Sequence, residues 1–197
     1  MNPATRLPAR PSPSHSIPDM NAVPIEAIHA DLQSKFSDMI GDLRREPAET
    51  GTAYIIVKAE WIRDVCLYLR DDPQYLMNNL NLLSCVDFRE MKGQEYQGQL
   101  GVVYHMSSLQ PVGDEWKTIH SVAIKSYVPL SDPHIPSVAR VWRTADWHER
   151  EGYDMFGIIF DGHPDLRRIL LPSDWEGYPL RKDYKVPDYY NGMKVPY

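Results

Sequence analysis

The chain has 197 residues, 43% hydrophobic and 24% charged, enough for one ordinary domain with its own apolar core. Its net charge of -6, from 21 Lys+Arg against 27 Asp+Glu, lacks the basic footprint of a nucleic-acid binder. Apolar runs such as Ile55–Val57 and Ile169–Leu171 fall far short of the roughly 20 residues of a membrane-spanning helix, so no transmembrane segment is expected. Cys66 and Cys85 have no CxxC spacing and support neither a disulfide framework nor a zinc or iron–sulfur site.

Six of the 17 prolines fall within residues 1–24, among Ser, Asn and Ala. That composition predicts a disordered tail, without the continuous apolar stretch of a secretory signal. From Ile25, the apolar residues Ile28, Leu32, Phe36, Ile40 and Leu43 recur at steps of three or four. The spacing predicts one amphipathic helix with Arg44 and Arg45 in its last turn. Ala53–Val57 reads as a strand after the breaker Gly51, and Glu60–Asp71 as a helix with Trp61, Val65 and Leu69 on one side, ended by Asp72-Pro73. Leu80–Phe88 and Gln99–Ser107 read as strands flanking the polar loop Glu90–Gln97 with its Gly93. In Thr118–Tyr127, Ile119, Ser121, Ala123 and Lys125 face opposite to His120, Val122, Ile124 and Ser126. The expected architecture is α+β: a mixed, mostly antiparallel four-stranded sheet packed with helices over residues 25–157. Pro129, Pro133 and Pro136 mark a loop, after which Ser137 is placed to cap a short helix through Trp142. A further helix is expected over Thr144–Phe156, with Thr144 as N-cap and Trp147 opening its apolar face. Past Gly157, five prolines spaced seven to nine residues apart (Pro164 to Pro196) predict an extended C-terminal arm over residues 158–197.

No phosphate loop GxxxxGK[ST], dinucleotide fingerprint GxGxxG, HExxH or GxSxG occurs. The histidines are scattered singly and have no metal-ligand spacing. His163 differs: Asp161-Gly-His-Pro-Asp165 is a turn signature that fixes the backbone and could present the imidazole to a partner or to buried carboxylates. The densest charged cluster is His148-Glu149-Arg150-Glu151 with Asp154. On a helix Glu149 and Glu151 point about 200° apart and cannot share one substrate atom, whereas Arg150 and Asp154 are one turn apart and can pair. Trp147, Tyr153, Met155 and Phe156 take most of the remaining positions, which favours burial of those charges in pairs or at an interface. Residues 146–197 also carry the doublets Arg167-Arg168 and Arg181-Lys182, and 10 of the chain's 21 aromatics, among them Trp175, Tyr178 and Tyr184. Aromatic residues and arginine spaced between prolines compose either a protein–protein contact surface or an arm wrapped over its own domain.

The stretch Glu149-Arg-Glu-Gly-Tyr-Asp-Met-Phe-Gly-Ile-Ile-Phe-Asp-Gly-His-Pro-Asp-Leu-Arg-Arg-Ile-Leu-Leu-Pro172, and Asp174-Trp-Glu-Gly-Tyr-Pro-Leu-Arg-Lys-Asp-Tyr184 after it, resemble the 30-kilodalton subunit family of respiratory complex I, the C-type subunit of bacterial NADH–quinone oxidoreductase. Glu149, Arg150, Glu151, Asp154, Met155, Phe156 and His163 fill the signature, and Arg167, Ile169 and Leu170 complete it. Gly152 departs from it, since relatives commonly carry a branched apolar residue there. The resemblance implies a non-catalytic subunit that binds no flavin, iron–sulfur cluster or metal itself. FMN, iron–sulfur clusters and quinone would sit in partner subunits. The partners it implies are the large quinone-site (D-type) subunit and the iron–sulfur subunits near it, on the cytoplasmic face of the bacterial inner membrane. A related membrane-bound hydrogenase or a complex with another electron donor would share the motif. An independent acid/base enzyme built on Glu149, Glu151 and His163 would need a pocket that brings the three together.

Overall fold

The computed structural model describes residues 22–46, 51–89 and 96–195. All but the last three residues of the expected tail, most of the Glu90–Gln97 loop, and Pro196–Tyr197 lie outside them.

Helix α1 covers Ile25–Phe36 and buries Ile28 and Leu32. It does not continue to Leu43: Ser37 takes a positive φ of 51°, a 3-10 turn follows over Ser37–Met39, and Ile40–Glu46 is strand β1. Arg44 and Arg45 therefore lie opposite Tyr54 and Ala53 of strand β2 (Thr52–Val57) rather than in a helical turn. The misleading periodicity has a physical origin in a register shift. Ile40 faces Val57 and Leu43 faces Ile55, so three residues of β1 span two of β2. Such a bulge brings two residues spaced three apart onto one strand face.

Helix α2 (Ile62–Asp71) follows a 3-10 turn and buries Ile62, Val65, Cys66 and Leu69. Strands β3 (Asn79–Asp87), β4 (Gln99–Val112) and β5 (Glu115–Pro129) complete a sheet of order β1-β2-β5-β4-β3. The sheet has five strands, one more than expected, because of β1. Only the β2–β5 pair is parallel. The β4–β5 hairpin turns through Gly113-Asp114, with Gly113 at φ 65°, a backbone conformation that favours glycine in a two-residue hairpin loop. Ala123 is buried on one face of β5, and His120, Val122, Ile124 and Ser126 are all buried on the other, the grouping that the alternation gives. They join Leu100, Val102, Tyr104 and Met106 of β4 in a core shared with α1 and α2.

After β5 the chain forms the short strand β6 (His134–Pro136), helix α3 (Ala145–Phe156) and strand β7 (Ile159–Asp161), which pairs parallel with β6. The expected helix from Ser137 to Trp142 is instead a series of turns. The Ser137 hydroxyl accepts from the Ala139 amide and donates to Glu149, so it serves a turn and a carboxylate rather than a helix end. Helix α3 packs against β3 at Gly152, where an added Cβ would lie 2.7 Å from Cys85 Sγ and 3.1 Å from the Phe160 ring. Glycine at this position thus fits the close approach of helix and strand. A last small ribbon pairs β8 (Tyr189–Tyr190) with β9 (Met193–Lys194).

Candidate functional site

The charged motif on α3 splits between two environments, as its helical spacing requires. Glu149, Arg150 and Asp154 are buried, whereas Glu151 is exposed. Trp147 is 64% exposed, so it does not open an apolar face toward the core. The Arg150 guanidinium lies 5.1 Å from the Trp147 ring and its Nε donates to the Arg167 carbonyl.

Arg150 and Asp154 do not pair with each other. Asp154 is bound from outside the helix, by the segment that follows β7. Arg168 donates to Oδ1 at 2.7 Å, and the successive amides of Ile169, Leu170 and Leu171 donate to Oδ2 at 2.9, 2.7 and 3.0 Å. Burial alone would push this carboxyl upward. Arg168 and the three amides outweigh it and hold Asp154 below its ordinary range. A long-range partner wins over the local i,i+4 arginine because backbone amides and a guanidinium together saturate the carboxylate. Arg168 then donates its other nitrogen to the carbonyls of Trp175 and Gly177, at 3.0 and 2.9 Å. One buried ion pair thereby gathers three stretches of chain.

Further along, Arg181 donates to the Phe156 carbonyl and the Leu180 amide to the Met155 carbonyl, supplying donors to the orphan carbonyls at the end of α3. Gly157, at φ 70°, is the left-handed residue after the helix, and a Cβ there would overlap the Tyr178 ring. That ring sits between the guanidinium groups of Arg181 at 4.5 Å and Arg168 at 5.3 Å. Trp175 Nε1 donates to the Tyr184 hydroxyl, and the Lys182 amide donates to Asp87 at the end of β3. Asp87 also takes Arg89, which reaches Asp183 in turn. Burial of Asp87 is overcome by Arg89 and the Lys182 amide, and its carboxyl is held low. Asp87, Arg89 and Ser137 were absent from the sequence-predicted set: nothing in the local spacing of Asp87 and Arg89 signals partners 95 and 94 residues away, and Ser137 meets Glu149, 12 residues on, across two different elements.

Toward the other end of α3 lies His163, its side chain fully buried. Its Nδ1 accepts from the Asp165 amide at 3.0 Å, so the ring proton sits on Nε2. Nε2 is 3.2 Å from the Asp146 carbonyl and 3.9 Å from Glu149 Oε2. The imidazole thus faces the start of α3, with the Asp146 carboxylate, itself 36% exposed, at 3.6 Å and only the Glu149 carboxylate beside it buried. Glu149 accepts from the Ser137 hydroxyl and the Val138 amide, both at 2.6 Å. Burial pushes Glu149 up to about 7, further raised by Asp146, against the downward pull of those two hydrogen bonds.

Thus Glu149 and His163 come together while Glu151 stands apart, and the three do not form one acid/base constellation. Arg167 is exposed and pairs with Asp165, and Phe156 packs at the core margin. Among the described residues, no group of three or more His, Cys, Asp or Glu side chains could hold a metal ion. No helix among them is long and apolar enough to cross a membrane.

A family model described as the respiratory-chain NADH dehydrogenase 30 kDa subunit matches residues 55–190, a span that holds strands β3 to β5, the end of β2 and the Asp154 clasp but not β1. The chain belongs to this family. It is 39% identical over 194 residues to the C-type subunit of NADH-quinone oxidoreductase from Chloroherpeton thalassium, covering 98% of this chain and 75% of that one. It is 43% identical to the same subunit of Chlorobium phaeobacteroides, covering 84% and 92%. Among solved structures, a trypsin-resistant fragment of Nqo5 superposes with a TM-score of 0.54 at 26% identity, covering 72% of this chain and 98% of that one. A chain of the membrane-bound sulfane sulfur reductase, an archaeal respiratory membrane complex, shares the fold with a TM-score of 0.54 at 23% identity, covering 81% and 85%. The chain is accordingly a subunit of the NADH–quinone oxidoreductase complex, complex I, and no catalytic group is evident among its described residues.

Proposed function

We propose that this 30-kilodalton subunit acts as a structural and assembly element of the peripheral arm of complex I, on the cytoplasmic face of a bacterial membrane. Residues 25–157 form its domain, and residues 158–197 form an arm that packs against the quinone-site (D-type) subunit and neighbouring iron–sulfur subunits. Electrons pass from NADH through FMN and iron–sulfur clusters held by those neighbours to quinone. The observation that carries this reading is the distribution of exposed apolar side chains. Six of the nine large exposed hydrophobics among the described residues fall between Trp147 and Met193: Trp147, Leu170, Leu180, Val186, Tyr189 and Met193. Leu170 and Leu180 are exposed although their own amides are hydrogen-bonded to α3, so the clasp presents them outward on a fixed backbone. Fixed, exposed apolar groups flanked by arginine and tyrosine suit a protein contact.

The test is a tagged chain carrying Leu170→Ser and Leu180→Ser, isolated from membranes beside the wild type and a Leu82→Ser control. Identification of the co-purified proteins should show the quinone-site and iron–sulfur subunits with the wild type and control only. Normal recovery of those partners and normal NADH–quinone activity with the double variant would refute the assignment of the contact to this segment.

A further inference from the structure

Glu149 is a fully buried carboxylate that, among the described residues, has two hydrogen-bond donors and no lysine or arginine ion pair. The groups that face it come from every element around it. Asp146 lies on its own helix, His163 in the turn after β7, and Ser137 in the loop after β6. Cys66 of α2, Cys85 of β3 and Tyr104 of β4 sit close enough to feel its charge. All three are pushed upward first by burial and stay protonated, with Glu149 and, for Cys85, Glu151 adding to the effect. The Tyr104 hydroxyl has no hydrogen-bond partner among the described residues.

This setting accepts Glu149 in either protonation state. The Val138 amide donates to Oε1 in both. Across 2.6 Å, the Ser137 hydroxyl donates to the carboxylate and can accept from the carboxylic acid by rotating its own proton. The partner that must choose is His163. Its Nδ1 is committed to the Asp165 amide, so a single N–H, on Nε2, faces the Asp146 carbonyl at 3.2 Å, the partly exposed Asp146 carboxylate at 3.6 Å and the buried Glu149 Oε2 at 3.9 Å; of these acceptors only Glu149 is buried and changes strength with its own proton. The nearer carbonyl suits a neutral Glu149, and an ionised Glu149 is the stronger acceptor.

We propose that Glu149 is an internal proton-binding site whose occupancy selects the acceptor of the His163 Nε2–H: the Asp146 carbonyl when the proton is bound, the Glu149 carboxylate when it is not. Because Asp165 is tied to the same imidazole, the choice sets how the Asp161–Asp165 turn sits on α3. The ligand is one proton, taken from and returned to solvent, and no other bond is made or broken.

The experiment is a pH titration of the isotopically labelled full chain by NMR, following Glu149 Cδ, the His163 ring nitrogens and the Asp165 amide. The expected result is one shared midpoint at about 7, which disappears from His163 and Asp165 in Glu149→Gln. A Glu149 that titrates in the ordinary carboxylate range overturns the proposal, as do His163 and Asp165 signals that move identically in wild type and variant. Should Glu149→Gln fail to fold, the wild type still decides: separate midpoints for Glu149 and for His163 with Asp165 reject the link.

Discussion

Where α1 and α2 meet the sheet, the contacts are among Ile28, Leu32, Val65, Leu69, Ile55 and Ile124, all fully buried. Where residues 163–183 meet α3 and β3, the anchoring contacts end instead on carboxylates and carbonyls: Asp154, Asp87, and the backbone oxygens of Phe156 and Arg167. Apolar burial is non-directional and divides its stabilisation among many side chains, at about 25 cal/mol per Å². A charge clasp concentrates it, because removing one partner leaves the others buried and unpaired. The first region should therefore degrade gradually on substitution, and the second should let go as a unit while the sheet stays folded.

Asp154→Ala is the most direct way to break that distinction. It removes the acceptor of Arg168 and of three consecutive amides, and leaves a guanidinium largely buried without its carboxylate. Losses of about 3–5 kcal/mol are typical for a broken buried pair. They should appear as loss of hydrogen-exchange protection at Ile169, Leu170 and Leu171, with β4 and β5 amides unchanged. Equal loss of protection in the sheet would mean that the two regions are one cooperative unit.

The pH dependence separates the two ends of α3. For Glu149 the folded value of about 7 lies above the ordinary 4.5. Below about 4.5 both folded and unfolded chains carry the proton and nothing is lost. As pH rises toward 7 the unfolded chain releases it first, and stability falls by about 3 kcal/mol. Asp154 and Asp87 run the other way: their folded values are depressed, so their contribution is present above about 4 and vanishes below it. Urea unfolding across this range should show wild type losing stability relative to Glu149→Gln between pH 4.5 and 7. Parallel curves would remove Glu149 as the cause.

Gly152→Ala probes the seam between the regions, where α3 lies on β3. Alanine favours a helix by about 1 kcal/mol over glycine. The added methyl, however, meets Cys85 Sγ at 2.7 Å and Phe160 at 3.1 Å. Overpacking costs roughly 1–3 kcal/mol, so the net effect should be destabilising. Adding Cys85→Ala, which removes the closer atom, should restore part of it. A double variant no more stable than Gly152→Ala would place the strain at Phe160.

The sheet was legible wherever one face alternates cleanly, as in β5, where His120, Val122, Ile124 and Ser126 share one face, all of it buried. It was not legible at Ile40–Leu43, where a bulge turns strand spacing into an apparent helical step. Nor could the β4–β5 ribbon be followed to its tip, since Gln110, Pro111, Glu115 and Lys117 carry no alternation of hydrophobicity. At the site, the helix and the His163 turn followed from local chemistry: helical spacing separates Glu149 from Glu151, and Gly and Pro fix the turn. The partners did not follow. Asp154 could reach Arg150 within its own helix but binds Arg168, 14 residues on, and Asp87 receives an amide 95 residues away. Spacing encodes contacts within an element, whereas contacts between elements depend on a fold that the spacing only partly specifies.

The start of α3 offers the smallest and sharpest contrast with the clasp at its end. Thr144 precedes the helix where a capping residue belongs, yet its φ and ψ of -62° and -28° are helical and its hydroxyl makes no capping bond. Of the amides such a cap serves, that of Asp146 donates instead to the Arg143 carbonyl at 3.3 Å, and the Ala145 amide before it donates to the Trp142 carbonyl at 3.0 Å, in the turns that precede the helix. The Thr144 carbonyl itself is taken by the His148 ring at 2.9 Å. A hydroxyl cap is worth about 1 kcal/mol, and here there is none to lose. Thr144→Ala should therefore shift stability by less than about 0.5 kcal/mol in urea unfolding. A loss of about 1 kcal/mol would show that the hydroxyl does cap the helix in solution and that the preceding turns do not replace it.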